Sequence, residues 1–93
     1  MIRSFKSKST EAVFNGQCPK GFPVQIFHIA RRKLEALNAA ERLSDLRVPP
    51  ANRLEALKGN RKGQHSIRIN DQWRICFRWT SDGPADVETT DYH

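Results

Sequence analysis

The sequence contains little of what secreted, metal-binding or membrane-spanning proteins require. Its two cysteines, Cys18 and Cys76, lie far apart and in no CxxC or Cys/His arrangement, so we expect neither a disulfide framework nor a zinc site. We interpret both as small hydrophobic residues. No segment approaches the roughly 18 uncharged apolar residues of a membrane span, and the opening residues MIRSFKSK lack the apolar run of a secretory signal. These absences predict a cytoplasmic protein.

The length of the chain leaves room for one hydrophobic core. It has 93 residues, of which 38% are hydrophobic, enough for one compact domain and too few for two. No internal repeat, low-complexity tract or linker divides it. We therefore expect residues 1–93 to form a single domain, which excludes an enzyme with a separate cofactor lobe.

The charge is predominantly positive. Sixteen Lys and Arg against ten Asp and Glu give a net charge of +6, and no Lys or Arg follows Arg78. Ten of the sixteen are arginine, whose planar guanidinium suits phosphate. A compact basic domain attracts polyanions, so RNA, DNA, an acidic protein or an anionic membrane surface are candidate partners. A basic charge that serves only solubility is the alternative interpretation.

The first half of the chain has the pattern of helices. Residues 2–5 are expected to form a short edge strand, followed by a brief helix over residues 10–15 that Ser7 or Ser9 caps and Gly16 ends. Apolar residues then recur every three or four positions over residues 24–40, which predicts an amphipathic helix.

The second half has the pattern of strands. Residues 43–46 are expected to make one tight turn, and Pro49 and Pro50 to impose an extended connection. Polar and apolar residues then alternate in segments separated by turn residues. These predicted strands are residues 53–57, 65–69, 73–79 and 87–92, with turns at 70–71 and 82–84. Helices followed by a strand meander predict an α+β protein whose antiparallel sheet carries the helices on one face.

One face of the predicted sheet is cationic. Alternation directs Arg68, Arg74 and Arg78 away from the face that carries the isoleucines, Phe77 and both tryptophans, so we interpret the tryptophans as core residues. The arginines adjoin a glycine-bracketed basic loop that contains Lys58, Arg61 and Lys62. Together they form a candidate phosphate-binding surface, with ordinary solvated charge as the alternative.

The chain ends in Asp91, Tyr92 and His93, three side chains that can orient or transfer protons. A frayed terminus without function is the alternative. His28 lies on the polar stripe of the predicted helix and His65 on the apolar side of the sheet, where structural roles suffice for both.

Four segments occur in the order typical of one family: MIRSF, LEALKGNRKGQHSI, NDQWRICFRW and the closing DYH. Together they resemble the HigB-type toxins, the killer-protein branch of the RelE/ParE superfamily of bacterial toxin–antitoxin pairs, and the GraT toxins of the same branch. The resemblance covers nearly the whole chain. It implies a small curved antiparallel sheet with two N-terminal helices packed on one face, which agrees with the α+β layout above.

The resemblance implies a toxin that cuts messenger RNA on the ribosome without a metal or other cofactor. In that reaction the 2′-hydroxyl attacks the neighbouring phosphate, and the site must move protons and neutralise the charge that develops on phosphorus. Carried over by position, Arg74 would neutralise that charge and Lys58 would be the loop lysine. Asp91 would orient, Tyr92 would stack or donate, and His93 would exchange the proton.

One position departs from the family pattern. Well-known HigB members have histidine three residues before the loop lysine, and this chain has Glu55. A carboxylate can act as a base if its pKa is raised, but it also repels phosphate. The identity of the base and the cleavage rate are therefore in question, and we favour His93 with Arg74 over Glu55.

The resemblance also implies partners. The remaining cations suit docking to ribosomal RNA, where charge gives affinity with little sequence choice; they are Arg3, Lys6, Lys8, Arg61, Lys62, Arg68 and Arg78. The family's partner is a HigA-type antitoxin with a helix-turn-helix domain, through which the complex binds operator DNA, and no membrane is involved. Two alternatives stay open: a ParE-like inhibitor of DNA gyrase, and a catalytically weakened module that binds the ribosome or antitoxin.

Overall fold

A four-stranded antiparallel sheet with helices against one face forms the body of the protein, which we describe from a computed structural model for residues 1–91. The α-helices are α1, Lys8–Phe14, and α2, Phe27–Ala39. The strands are β1, Glu55–Ala56; β2, His65–Arg68; β3, Trp73–Thr80; and β4, Gly83–Asp91, adjacent in that order. Short 3-10 turns occupy Val24–Ile26, Leu43–Arg47, Pro50–Asn52 and Gly59–Arg61. The predicted fold class is confirmed.

The hydrophobic core lies between α2 and one face of the sheet. Ala30, Leu34 and Leu37 of α2 are fully buried, because their spacing puts them on one side of a helix with 3.6 residues per turn. The sheet contributes side chains of matching parity, which are equally buried: Ile67, Ile75, Phe77 and Val87. Both tryptophans pack against this cluster, as the alternation predicted.

The N-terminal segment lengthens the sheet beyond β4. The N–H of Arg3 donates to the carbonyl of Pro84 at 2.8 Å, the N–H of Lys6 to that of Val87 at 2.9 Å, and the N–H of Val87 to that of Ser4 at 3.1 Å. The predicted edge strand thus exists as a single parallel bridge, Phe5 with Val87.

The short helix α1 begins where a side chain caps it. Ser7 is the N-cap, and its hydroxyl accepts the N–H of Thr10 at 3.1 Å, which satisfies one of the donors left free at a helix start. Gly16 follows the helix with a φ of +92°, a conformation that glycine adopts without strain. Of the two predicted caps, Ser7 is therefore the correct one.

Three of the differences from the predicted boundaries have a clear local cause. Pro50 begins a 3-10 turn rather than an extended link, because the first helical position needs no N–H. Strand β1 keeps only two of the five predicted residues, since Arg53 before it adopts a left-handed conformation with φ 45°. Strand β4 begins at Gly83, earlier than predicted; a Cβ there would lie 2.4 Å from the carbonyl oxygen of Met1, so only glycine fits.

The two cysteines have different environments. Cys76 is fully buried on the sheet, which confirms its interpretation as a small hydrophobic residue. Cys18 is exposed in the loop after α1, so that interpretation was wrong for Cys18, because Phe22 is the residue that this loop contributes to the core. Over residues 1–91, no helix is long and apolar enough to cross a membrane.

Buried Asn52 joins the 3-10 turns to α2. It is 1% exposed, and its amide nitrogen donates to the carbonyls of Leu46 at 3.1 Å and Val48 at 3.3 Å. Its amide oxygen accepts from Lys33. Burial lowers the pKa of that lysine, and the positive charges of Arg32 and Arg68 lower it further. One amide therefore fixes the segment that leads into β1.

We expect Asn52→Ala to lower the free energy of unfolding by about 2–4 kcal/mol, because the buried carbonyl of Leu46 and the partly buried carbonyl of Val48 lose their donor. Urea denaturation measures this change. Asn60→Ala, at an exposed position of the Gly59–Arg61 turn, is the matched control and should shift the value by less than about 0.5 kcal/mol. If both substitutions lowered the free energy of unfolding equally, Asn52 would not be the residue that fixes this segment.

Candidate functional site

Arg74 is held rigidly on the sheet face opposite the core. Its Nε donates to the hydroxyl of Ser66 at 2.7 Å, and its Nη2 donates to the carbonyl of Arg53 at 2.7 Å. The carboxylate of Glu55 lies 3.7 Å from Nη2, and the Arg74 side chain is 12% exposed. Three partners on two neighbouring segments therefore define the direction of this guanidinium.

The strand register explains why these groups meet. Ser66 lies opposite Cys76 on β3 and opposite Glu55 on β1, while Arg68 lies opposite Arg74. Because side chains directly opposite or two residues apart share a face, Ser66, Glu55 and Arg74 point to the same side. The left-handed backbone of Arg53, with φ 45° and ψ 55°, precedes β1, and its carbonyl completes the arrangement.

The three predicted arginines share one side of the hairpin, but each is paired with a carboxylate. Arg68 bonds Asp71, Arg74 pairs with Glu55, and Arg78 contacts Asp86 at 2.7 Å. The hydrogen bond from Arg78 lowers the pKa of Asp86, against a smaller opposing effect of desolvation. The predicted cationic face therefore carries less net charge than its three arginines alone would give, because cross-strand and turn carboxylates neutralise much of that charge.

Arg78 lies away from Arg74 beside an irregularity in the sheet. Cys76 pairs with Glu88 and Arg78 with Ala85, so two residues of β4 lie opposite one residue of β3. This is a β-bulge, and Asp86 within it has a φ of 52°, which Asp tolerates better than most residues. Arg74 and Arg78 are four positions apart, and at about 3.3 Å per residue this separation exceeds the reach of one phosphate group.

The basic loop is tied to the same face through Glu88. Arg61 donates through Nη1 to Glu88 at 2.8 Å and to Gln64 at 3.0 Å, and the Lys6 ammonium lies 3.9 Å from Glu88. The Glu88 side chain is 17% exposed. The structure therefore brings Lys6 and Arg61 together around one carboxylate, although their separation in the sequence exceeds fifty residues.

The other predicted cations are more dispersed. Lys58 and Lys62 are exposed at the two ends of the Gly59–Arg61 turn. Lys8 is exposed at the start of α1. Arg3 lies beside Pro84, at the opposite end of β4 from Thr90, the residue that pairs with Arg74. The basic residues thus form several patches rather than one surface.

The last described residues reach the end of the sheet that carries Arg74. Thr90 pairs with Arg74 and Asp91 with Trp73, and a carboxylate oxygen of Asp91 accepts from the Gln72 amide at 3.2 Å. The hydroxyl of Thr90 is buried and has no hydrogen-bond partner among residues 1–91. The predicted catalytic residues Tyr92 and His93 lie outside the described residues.

Two functional contacts were missed at the sequence level. The alternation over residues 65–69 puts Ser66 on the same side of the sheet as Arg68 and Arg74. The Ser66–Arg74 hydrogen bond could therefore have been predicted from the strand register. The contact of the Arg53 carbonyl with Arg74 could not have been predicted, because no sequence pattern identifies a non-glycine residue in the left-handed conformation. His28 and His65 fit the structural roles expected of them: His28 is exposed on α2, and the His65 ring stacks on Phe77 with centroids 6.3 Å apart.

The fold defines the class of protein. A chain of the YoeB–YefM complex from Staphylococcus aureus superposes with a TM-score of 0.62, covering 100% of this chain and 98% of that one at 15% identity. At this identity the likeness shows the fold alone, which is that of the RelE-like toxins.

Sequence comparison defines the family. The family model described as "RelE-like toxin of type II toxin-antitoxin system HigB" matches residues 3–93. The chain is 45% identical over 86 residues to Toxin HigB-1 of Vibrio cholerae, covering 91% of this chain and 90% of that protein. It is 31% identical over 93 residues to Endoribonuclease HigB of Proteus vulgaris, covering 100% of both. The chain belongs to the HigB-like toxin family of type II toxin–antitoxin systems.

Proposed function

We propose that this toxin inhibits translation in the cytoplasm by cleaving messenger RNA on the ribosome, with residues 1–93 as the toxin domain. The 2′-hydroxyl oxygen attacks the adjacent phosphorus and loses its proton to the protein. The bond from phosphorus to the 5′-oxygen breaks, and that oxygen takes up a proton. The products are a 2′,3′-cyclic phosphate and a 5′-hydroxyl, and the reaction uses protein side chains alone.

The rigid guanidinium of Arg74 carries this proposal. Within residues 1–91 it donates hydrogen bonds through Nε and Nη2, which leaves Nη1 for a phosphate oxygen. A donor fixed before the reaction stabilises the charge that develops on phosphorus without reorganising at that moment. Lys58, exposed just beyond β1, supplies a second positive charge to the same phosphate.

The proton transfers are assigned to the chain end. His93 exchanges the proton, Tyr92 stacks on or donates to the substrate, and Asp91 orients them. The course of β4 supports this assignment, because it runs to Asp91 and brings Thr90 opposite Arg74. The activity named for the Proteus vulgaris relative supports the same reaction.

Ribosome docking is assigned to the dispersed cations Arg3, Lys6, Lys8, Arg61, Lys62, Arg68 and Arg78. Patches spread over the surface suit a large RNA partner, to which each exposed cation contributes a salt-sensitive contact. As a toxin of a type II system the protein has an antitoxin partner. We propose that this partner is a HigA-type helix-turn-helix protein and that operator DNA is bound only through the complex.

One observation favours a second function, a weakened toxin that binds the ribosome or antitoxin without efficient cleavage. Glu55 occupies the family's histidine position and lies 3.7 Å from Arg74, where its charge competes with the phosphate. A gyrase inhibitor of the ParE type is not favoured, since the chain matches the HigB family over nearly its whole length.

The first test removes the proposed proton donor. His93→Ala should slow cleavage by about 10²–10⁴-fold, the usual contribution of general acid–base catalysis. Primer-extension mapping of transcripts after induced expression measures the breaks inside translated reading frames. The matched control is His28→Ala, at an exposed position of α2, which should cut as the wild type does. If the wild type arrested growth while every messenger RNA stayed intact, the proposed endoribonuclease activity would be rejected.

The second test asks whether Glu55 is a base or a competitor. If it only competes for Arg74, Glu55→Gln should cleave at least as fast as the wild type, because the phosphate meets an uncompensated guanidinium. Glu35→Gln, at an exposed residue of α2 that pairs with Arg31, is the control for lost charge. A slowing by about a hundredfold or more in Glu55→Gln alone would identify Glu55 as the base, against our assignment.

A further inference from the structure

An open pocket lies beside the Arg74 site at the β1 edge of the sheet. Its volume is about 640 Å³, within the roughly 300–1,000 Å³ typical of small-molecule sites. The Leu43–Arg47 turn forms one wall, and residues 53–56 form the other. None of the roles assigned so far uses this pocket.

The pocket is continuous with the surroundings of Arg74. Arg53 and Glu55 both line it, and both also contact the Arg74 guanidinium, at 2.7 Å and 3.7 Å. A polymer whose phosphate reached Arg74 would therefore have its neighbouring unit at the mouth of the pocket.

The lining combines apolar side chains with positive charge. Leu43 and Leu54 line the pocket and pack partly against the core, so they offer apolar surface to a planar ring. Arg47 and Arg53 line it as well, and both are exposed. Apolar surface for a base next to cations for a phosphate is the combination by which proteins hold single nucleotides.

The imidazole of His65 adds a polar ring to the lining. It lines the pocket, and its Nδ1 is buried with no partner among residues 1–91. His65 as a whole is only half-buried, so the part of its ring that stays accessible is the part that a ligand in the pocket can contact. The opposite ring face is taken by Phe77, which fixes the plane of the imidazole.

We propose that this pocket binds the nucleotide next to the scissile phosphate, with its base between Leu43 and Leu54 and its phosphate on Arg47 and Arg53. The accessible part of the His65 ring then contacts an edge of the base. The inference rests on the proposed cleavage at Arg74, and it makes this pocket a contributor to the choice of RNA sequence.

Nucleotide binding to the full-length protein tests the pocket without the ribosome. Adenosine 5′-monophosphate should shift the NMR signals of the His65 ring nitrogens and of Leu54. Arg47→Gln should weaken its affinity about tenfold, since one charge-assisted phosphate contact is lost. Ser44→Trp should abolish binding by filling the pocket from an exposed lining position. Arg32→Gln, an exposed arginine of α2, loses the same charge and should bind normally.

Three outcomes would overturn the inference. If Arg47→Gln and Ser44→Trp bind the nucleotide as tightly as the wild type, the nucleotide binds at another place on the protein. Inorganic phosphate that binds as tightly as the nucleotide would show an anion site without a base pocket. Unchanged nucleotide binding together with lost antitoxin binding in the two variants would assign the pocket to the antitoxin.

Cleavage assays separate this inference from the proposed function. With both correct, Arg47→Gln and Ser44→Trp raise KM for messenger RNA about tenfold and leave kcat near the wild-type value. If the wild type cleaves and both variants have the same KM as the wild type, the nucleotide pocket is overturned and the proposed function stands. A third result is that the wild type binds the nucleotide at His65 without ever cleaving RNA, while the two variants do not bind it. That result would overturn the proposed function and support the pocket.

Discussion

The hydrogen bond from Arg74 to the hydroxyl of Ser66 depends on the register between β2 and β3, and the proposed chemistry depends on that register in turn. Ile67 lies opposite Ile75 on the buried face, and both are fully buried. A slip by one residue would expose these isoleucines and carry Arg74 to the core side. The hydrophobic core therefore keeps the guanidinium in place from the opposite face of the sheet.

Many of the arginines near the sheet lie in groups that carboxylates balance. Every arginine of the β2–β3 hairpin has a carboxylate partner, and Glu88 serves two cations at once. Such pairing limits the mutual repulsion of a chain with a net charge of +6. It also means that an RNA phosphate must replace a carboxylate at Arg74, which makes the Glu55 contact a determinant of how well the site works.

The sequence predicted the elements that depend on periodicity. The α2 helix and the β2–β3 hairpin carry their core residues at helical and alternating spacing, and they formed close to the predicted positions. Features that depend on contacts between residues far apart in the sequence could not be predicted. Asp86 forms a bulge and pairs with Arg78, and Arg61 meets Glu88 across the sheet. Local pattern does not encode contacts between segments that only the folded chain brings together, and the Arg53 conformation leaves no compositional signal.

The rate at which Arg74→Lys cleaves a ribosome-bound message tests the central claim most directly. Lysine keeps the positive charge but cannot bond Ser66 and Arg53 while it reaches a phosphate. The account predicts a fall of about a hundredfold or more, as for other lost donors that stabilise a transition state, in a protein whose circular dichroism matches the wild type. Cleavage at the wild-type rate would contradict it, because charge alone would then suffice.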